Sequence, residues 1–255
     1  MHYLAFIVFG SLWGSFANVC IYRLPENKGV VRGRSSCPKC KNSIKWFDNI
    51  PLISFILLKG KCRNCNNPIA LQYFIVELIG SISFVAIYHF FGVTLTTLLL
   101  LILSVIFIII FFIDLKHFII PNVLTFTLMI VGFIKSFDPN LNKAIFPNYI
   151  NSLIGGIFGY LIIWLIIYFY KKVRKKEGMG LGDAKLMAVI GFWFGWISIP
   201  FVIFISSAVA LILAAPSLIN KSKAMSSEIP FGPYIISAAV IYLFFSDILK
   251  NFLIY

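Results

Sequence analysis

The sequence predicts an all-α polytopic membrane protein with about eight transmembrane helices and a small four-cysteine insertion between the first two. Of the 255 residues, 60% are hydrophobic and 17% are aromatic, and the mean hydropathy is +0.94. Soluble domains do not carry that much apolar surface. Apolar runs of about 20 residues recur along the chain, which is the length that an α-helix needs to cross a bilayer while satisfying its own backbone.

The predicted spans follow one another with short polar connections, except for one long polar segment after the first. The first span lacks a basic start and a following small-residue cleavage site, so it is predicted to be a retained helix rather than a signal peptide. The sixth span is short and is expected to cross the bilayer only as one arm of a helical hairpin with its neighbour. In chain order the spans are residues 2–21, 72–91, 95–113, 119–136, 150–170, 184–199, 200–219 and 231–250.

The basic residues predict the orientation of these spans. All but three of the 22 lysines and arginines fall in segments on one side, and the exceptions are Lys135, Lys143 and Lys250. Positive charge marks the cytoplasmic face, so the loops next to Asp114 and Asp183 are predicted to be cytoplasmic. The net charge of +13 follows from this asymmetry and suits contact with anionic membrane lipids. We therefore predict no nucleic-acid binding.

The polar segment 22–70 contains four cysteines in two closely spaced pairs. Cys37 and Cys40 form one CxxC pair, and Cys62 and Cys65 form the second after 21 intervening residues. Two such pairs match a tetrahedral four-thiolate zinc site, which would hold together a segment too small to build an adequate core. The domain organisation predicted from this pattern is a helix over 1–21, a cytoplasmic zinc-binding domain over 22–70 and a seven-helix membrane domain over 71–255.

Two aspartates lie at the ends of apolar runs in a chain with only nine acidic residues. Asp114 ends the third span, and Asp183 follows three alternating glycines ahead of the sixth. Carboxylates near a bilayer are costly and usually functional. If they lie close together, they can share one proton and activate water for attack on a peptide carbonyl. Alternatively, Asp114 lies at the interface or forms an ion pair with Lys116 or Lys185.

Several motifs then resemble those of the type IV prepilin peptidases, in the order and spacing of that family. The resemblance runs from about residue 10 to 234, with Gln72-Tyr73 in place of an Arg-Tyr pair. Its motifs are Gly14-Ser15-Phe16-Ala17-Asn18-Val19, Tyr22-Arg23-Leu24-Pro25, Asp48-Asn49-Ile50-Pro51, the two CxxC pairs, Tyr73-Phe74-Ile75-Val76-Glu77, Asp114 through Ile120-Pro121, Gly180-Leu181-Gly182-Asp183 and Pro230-Phe231-Gly232-Pro233.

The resemblance implies a GxGD-type membrane aspartyl protease of the bacterial cytoplasmic (inner) membrane. Asp114 and Asp183 would be its catalytic pair, and the four cysteines its zinc ligands. It would cut the basic leader of prepilins or pseudopilins after a glycine, at the cytoplasmic face. Members with the zinc-bearing domain typically also methylate the new amino terminus from S-adenosylmethionine, although this chain has no independent methyl-donor motif in residues 22–70.

The sequence also offers two further acids as candidate site residues and two alternative functions. Glu77 and Glu228 are candidates to meet the positive charges of the leader, while Glu77 could instead pair with Arg23 or Lys185. A proton- or metal-coupled transporter would use both aspartates as ion relays, but the sequence shows no internal repeat and places the acids at one membrane edge. A non-enzymatic assembly scaffold would explain the cysteines and leave both aspartates unexplained.

Overall fold

The computed structural model describes residues 2–30, 35–142, 146–175, 179–219 and 230–254, and gives the backbone alone for residues 142, 214–219 and 247–254. Within these ranges all the regular elements are helices, and β-structure is limited to two isolated bridges. The predicted all-α fold is confirmed. The helices are α1 (His2–Arg23), α2 (Ile53–Leu57), α3 (Leu71–Phe91), α4 (Leu95–His117), α5 (Asn122–Ile134), α6 (Pro139–Asn142), α7 (Tyr149–Arg174), α8 (Leu181–Phe194), α9 (Ser198–Ile219) and α10 (Gly232–Ile254).

Each of the eight predicted spans corresponds to one helix. Four of them, α1, α3, α4 and α7, are long and apolar enough to cross a membrane by length and composition. Over the residues described, α5, α9 and α10 provide shorter apolar stretches. Helix α5 begins three residues later than the predicted span because Pro121 precedes it in an extended conformation. Helix α8 covers Leu181–Phe194 and ends at Gly195, whose φ of +81° cannot continue a helix.

The chain divides into two compact units, residues 1–109 and 110–255. The first is built on the antiparallel pair α1 and α3, whose backbones approach closely through small residues. A Cβ on Gly10 would lie 2.6 Å from the Gly80 carbonyl oxygen, and one on Gly14 would lie 2.7 Å from the Glu77 Cα. Small residues spaced in this way are the usual means by which membrane helices pack without large side chains. The Asn18 side-chain amide also donates to the Tyr73 carbonyl oxygen at 3.0 Å.

In the second unit, α8 is the central helix and is buried along most of its length. It packs most closely on α7, where Gly155 and Gly159 face Gly191 and Met187. On its other side the Trp193 indole Nε1–H donates to the Leu128 carbonyl oxygen of α5 at 2.8 Å. Because Asp183 lies in the first turn of α8, this packing fixes where that carboxylate lies within the unit.

The α7–α8 contact leaves no room for a side chain at Gly191. A Cβ there would lie 2.0 Å from the Gly155 carbonyl oxygen. We expect Gly191→Ala to destabilise the purified protein by about 1–3 kcal/mol, the usual cost of overpacking a core. The loss of stability is measured by thermal unfolding of the purified protein in detergent. The matched control is Gly29→Ala, whose added methyl group meets nothing within 4 Å and should leave the unfolding temperature unchanged.

Candidate active site

Two buried aspartates of the second unit form the candidate active site. Asp114 lies in the last turn of α4 and Asp183 in the first turn of α8, and their side chains are only 5% and 7% exposed. The two carboxylates lie near enough for their charges to interact. Asp114 thus lies inside its helix, which runs on to His117, rather than just beyond the predicted span. The structure brings both sequence-predicted carboxylates into one site.

Each carboxylate accepts a hydrogen bond from a backbone N–H at the start of a helix. Gly232, the first residue of α10, donates to Asp114 Oδ2 at 3.0 Å. Gly180, which caps the amino terminus of α8, donates to Asp183 Oδ2 at 3.2 Å. Helix amino termini carry partial positive charge and unpaired N–H groups. They therefore offset part of the cost of burying two acids in an apolar bundle.

The turn after α4 packs between these two helix starts. A Cβ on Gly182 would lie 3.0 Å from the Ile120 Cβ, and a Cβ on Gly232 would lie 3.3 Å from the Ile120 Cδ1. Ile120 therefore contacts the backbone beside both aspartates. The Phe118 φ of +55° lies in the left-handed region and turns the chain back after α4. A side chain at Gly232 would come within 2.6 Å of the Asp114 Oδ2, and a side chain at Gly182 would press on Ile120.

The alternative ion pairs predicted for Asp114 are not formed among the residues that the structure describes. Lys185 instead donates from Nζ to the Asn122 Oδ1 at 2.7 Å, joining the starts of α5 and α8. Asp114 is also buried and accepts a backbone hydrogen bond, so its partner lies within the protein. The charge-pair explanation of Asp114 is therefore wrong for this structure.

The four sequence-predicted cysteines meet in the first unit. All four Sγ atoms lie within 4.8 Å of one another, and the Cys37 and Cys65 Sγ atoms are 3.8 Å apart. Tetrahedral zinc with metal–sulfur bonds of about 2.3 Å requires sulfurs about 3.8 Å apart. None of the cysteines forms a disulfide. The donor set and its spacing thus fit a metal ion, while Cys20 is buried in α1, away from this cluster.

Both cysteine pairs use the same local turn. Cys37 N–H donates to the Asn42 carbonyl oxygen and Cys62 N–H to the Asn67 carbonyl oxygen, and Lys41 and Asn66 occupy equivalent left-handed positions. Hydrogen bonds from the backbone of Cys40 and Lys39 lower the pKa of the Cys37 thiol to about 6. This lowered pKa favours the thiolate form of Cys37, which is the form that binds metals. In the metal-free cluster, a backbone hydrogen bond from Asn67 lowers the pKa of Cys65, but desolvation and the other cysteine side chains raise it to about 11.

Glu77, one of the two acids predicted to meet the positive charges of the leader, has a backbone partner in the structure. It is buried in α3, and its Oε2 accepts the backbone N–H of Leu52 at 2.8 Å. This is neither of the two pairings predicted for it. Glu228 lies outside the described residues. The backbone partners Gly232 and Gly180 were missed as site residues because a backbone N–H leaves no chemical signature in a sequence, although both lie in recognisable glycine motifs.

Comparison with known proteins gives the same family for both units. Residues 8–91 match the bacterial peptidase A24 N-terminal domain, and residues 101–215 match the type IV leader peptidase family. Proteins named prepilin leader peptidase/N-methyltransferase are similar over almost the whole chain. The one from Pseudomonas aeruginosa is 34% identical across 96% of this chain and 92% of its own length.

The chain belongs to the type IV leader peptidase family. Relatives of the same name from Xanthomonas campestris pv. campestris and Vibrio cholerae are 35% and 34% identical, each across 96% of this chain and across 92% and 97% of their own lengths. No solved structure matches. Both aspartates of this leader peptidase family member fall in the segment that matches the peptidase profile, and all four clustered cysteines fall in the segment that matches the N-terminal domain.

Metal content is a direct check on the cysteine cluster of this family member. We expect the purified chain to carry about one zinc ion, because the cluster presents a closed set of four thiolates. Cys62→Ser should lose most of the metal, since a hydroxyl is a poor zinc ligand. Mass spectrometric metal analysis after size-exclusion chromatography measures the ratio. Cys20→Ser is the matched control and should retain as much zinc as the wild type.

Proposed function

We propose that this chain is a membrane-embedded aspartyl endopeptidase that removes the basic leader of prepilins or pseudopilins. The observation that carries the proposal is the buried pair Asp114 and Asp183, each held by a helix-start N–H. The name shared by its relatives, prepilin leader peptidase, supports the substrate class. Cleavage follows a glycine, ahead of the hydrophobic helix of the substrate.

In the proposed reaction, the two carboxylates share one proton. The ionised carboxylate takes a proton from a water molecule, and the water oxygen bonds to the carbonyl carbon of the scissile peptide. The protonated carboxyl gives its proton to the carbonyl oxygen. When the resulting diol collapses, the carbon–nitrogen bond breaks and the departing nitrogen takes the proton from the carboxyl that deprotonated the water. The other carboxylate takes a proton from a diol hydroxyl, which leaves a free carboxylic acid product and restores the starting pair. The N–H groups of Gly232 and Gly180 keep each carboxylate oriented throughout.

The proposed location is the bacterial cytoplasmic (inner) membrane, with the site facing the cytoplasm. The apolar helices support membrane insertion, and the distribution of lysine and arginine supports this orientation. A substrate anchored by its own apolar helix would then present its scissile bond at the depth of Asp114 and Asp183 without crossing the bilayer. The proposed organisation keeps helix 1–21, zinc-binding domain 22–70 and membrane protease domain 71–255.

The four-cysteine cluster is proposed to hold Zn²⁺ through Cys37, Cys40, Cys62 and Cys65. A four-thiolate set leaves no open coordination position, so the metal would stabilise the fold of the segment around it. Between the end of α1 and the start of α3, the described residues form a short 3₁₀ turn at Trp46–Asn49, α2 and two isolated β-bridges. The metal therefore takes the place of a hydrophobic core.

The second half of the relatives' name supports a second activity, N-methylation of the amino terminus that cleavage exposes. S-adenosylmethionine is the proposed methyl donor. Methylation must follow cleavage, because the amine that accepts the methyl group is bonded in the peptide until then. No residue of this chain is assigned to the donor.

The test is cleavage of a purified prepilin by the purified chain in detergent, with the product weighed by mass spectrometry. We expect a single cut after the leader glycine, and a product heavier by one methyl group when S-adenosylmethionine is added. A panel of type IV pilin, type II secretion and competence substrates covers the substrate class. If a folded, zinc-loaded preparation cuts none of these substrates, the proposal is contradicted.

A further inference from the structure

A stretch of the four-cysteine segment exposes far more apolar surface than a water-facing loop normally does. Trp46 is 81% exposed, Leu57 75% and Ile56 63%. Soluble surfaces rarely present large apolar patches unless something covers them. We call residues 46–57 the Trp46–Leu57 segment. Its exposed large apolar side chains are Trp46, Phe47, Ile50, Ile53, Ile56 and Leu57.

The two halves of this segment form one compact turn structure. The Ser54 hydroxyl donates to the Phe47 carbonyl oxygen at 2.9 Å, and the Ser54 N–H donates to the Ile50 carbonyl oxygen at 3.0 Å. The 3₁₀ turn Trp46–Asn49 therefore packs against α2. The exposed apolar side chains of both halves consequently belong to one body rather than to two independent loops.

This body is attached to α3 at membrane depth. Leu52 N–H donates to the Glu77 Oε2 at 2.8 Å, and the Phe55 and Phe74 ring centroids are 5.2 Å apart. Glu77 lies six residues after the start of α3, about 9 Å along the helix axis. An α-helix of this length spans about 30 Å, close to the thickness of the hydrocarbon core. The attachment point therefore lies in the outer third of the span, so the segment is held beside the membrane-facing start of α3 rather than out in the water.

The attachment holds a strained turn. Leu52 has a φ of +61° and a ψ of −51°, and Ile53 N–H donates to the Pro51 carbonyl oxygen two residues back. A leucine in this γ-turn conformation is unfavourable and persists only where its surroundings enforce it. The buried Glu77 carboxylate does so by accepting the Leu52 N–H. Glu77 is thus a positioning residue for the segment.

The charges around the segment suit an anionic lipid surface. Lys45 precedes the segment, and Lys59 and Lys61 follow it. Its only acid is Asp48, which accepts two hydrogen bonds from Arg63 Nε and one from Arg63 Nη2. This Arg63 hydrogen bonding lowers the pKa of Asp48, so the acid stays ionised and its charge is balanced within the pair. The net charge of the segment together with these flanking residues is therefore positive.

We propose that the Trp46–Leu57 segment lies in the membrane interface, with its apolar side chains at the headgroup–acyl boundary and Lys45, Lys59 and Lys61 toward lipid phosphates. Tryptophan favours this depth because its ring is apolar and its N–H is polar. Lysines reach from such a depth to the phosphates with their long stems along the apolar surface. Anionic lipid adds electrostatic attraction for each lysine near the surface.

Depth-dependent fluorescence quenching of the full chain in nanodiscs tests the proposal. The lipid is phosphatidylethanolamine with phosphatidylglycerol, carrying a doxyl quencher either near the top of the acyl chain or near the bilayer centre. The Trp46 signal is obtained as the wild-type emission minus that of Trp46→Phe. We expect the shallow quencher to remove most of this signal, the deep quencher little of it, and aqueous iodide almost none.

Trp13→Phe is the matched control, because Trp13 lies midway along the apolar helix α1 and should respond to the deep quencher. Strong iodide quenching of Trp46 with no response to either lipid quencher would overturn the proposal. The proposal would also be overturned if Trp46 became shielded from iodide only when prepilin is added, because the Trp46–Leu57 segment would then be a protein-docking face. Glu77→Leu should expose Trp46 to iodide, while Glu77→Gln, which keeps an acceptor oxygen, should not.

Discussion

Replacing either Asp114 or Asp183 by asparagine is expected to lower the rate of prepilin cleavage by about 10²–10⁴-fold, the usual contribution of a general acid or base. Asparagine keeps the shape of the side chain and can still accept the hydrogen bond from Gly232 or Gly180. It cannot take up a proton from water or give one to the carbonyl oxygen. The rate is measured with purified protein under single-turnover conditions, so that product release does not mask the chemical step.

The control for these variants is Asp138→Asn, a third aspartate of the second unit. The Asp138 Oδ1 accepts the Asn140 N–H next to α6, and asparagine preserves that bond. This variant should cleave at the wild-type rate. Equal unfolding temperatures for the three variants would show that the losses at Asp114 and Asp183 do not come from misfolding. A wild-type rate in either of those two variants would contradict the paired mechanism.

Gly232→Ala is expected to lower the cleavage rate by about 10- to 100-fold. A Cβ at this position would lie 2.6 Å from the Asp114 Oδ2, closer than atoms can approach. The carboxylate must move away and lose the N–H of Gly232. A hydrogen bond to a charged group contributes about 1.5–3 kcal/mol, and each 1.4 kcal/mol corresponds to a factor of ten in rate. The rate is measured in the same single-turnover assay.

Gly180→Ala is the matched control, because it changes the same residue type beside the other carboxylate. Its Cβ would lie 3.7 Å from the Asp183 Oδ2, an ordinary contact, and Gly180 has a negative φ that alanine adopts readily. This variant should keep most of its activity. Equal loss in both variants would mean that the glycines act through general packing rather than through the orientation of Asp114.

The sequence was enough to predict the spans, the cysteine cluster and the two aspartates, for separate physical reasons. Helices in lipid must be long and apolar, so composition alone locates them. The spacing of Cys37, Cys40, Cys62 and Cys65 reflects the local geometry of two metal-binding turns. Asp114 and Asp183 stand out because acids are scarce and costly in such a chain. Helix ends were predicted to within a few residues, and the prediction deviated most at the end of α8, where Gly195 stops the helix before the predicted span ends.

The partners of these residues could not be predicted in the same way. Gly232 lies 118 residues from Asp114, and its contribution is a backbone N–H that every residue except proline possesses. The pairing of Glu77 with Leu52 depends on how the four-cysteine segment folds back onto α3, which the spacing of motifs does not reveal. Ile120 was visible only as part of a motif. Its packing against Gly182 and Gly232 emerges from the three-dimensional arrangement.

The most direct measurement compares single-turnover cleavage by Asp114→Asn, by Asp183→Asn and by the protein carrying both substitutions. Two groups that act as one catalytic unit are strongly non-additive, because removing either already disables the shared reaction. The shared-proton mechanism therefore predicts that each single variant loses nearly as much activity as the double variant. If the double variant instead loses the product of the two single losses, the aspartates act independently, and the shared-proton mechanism is wrong.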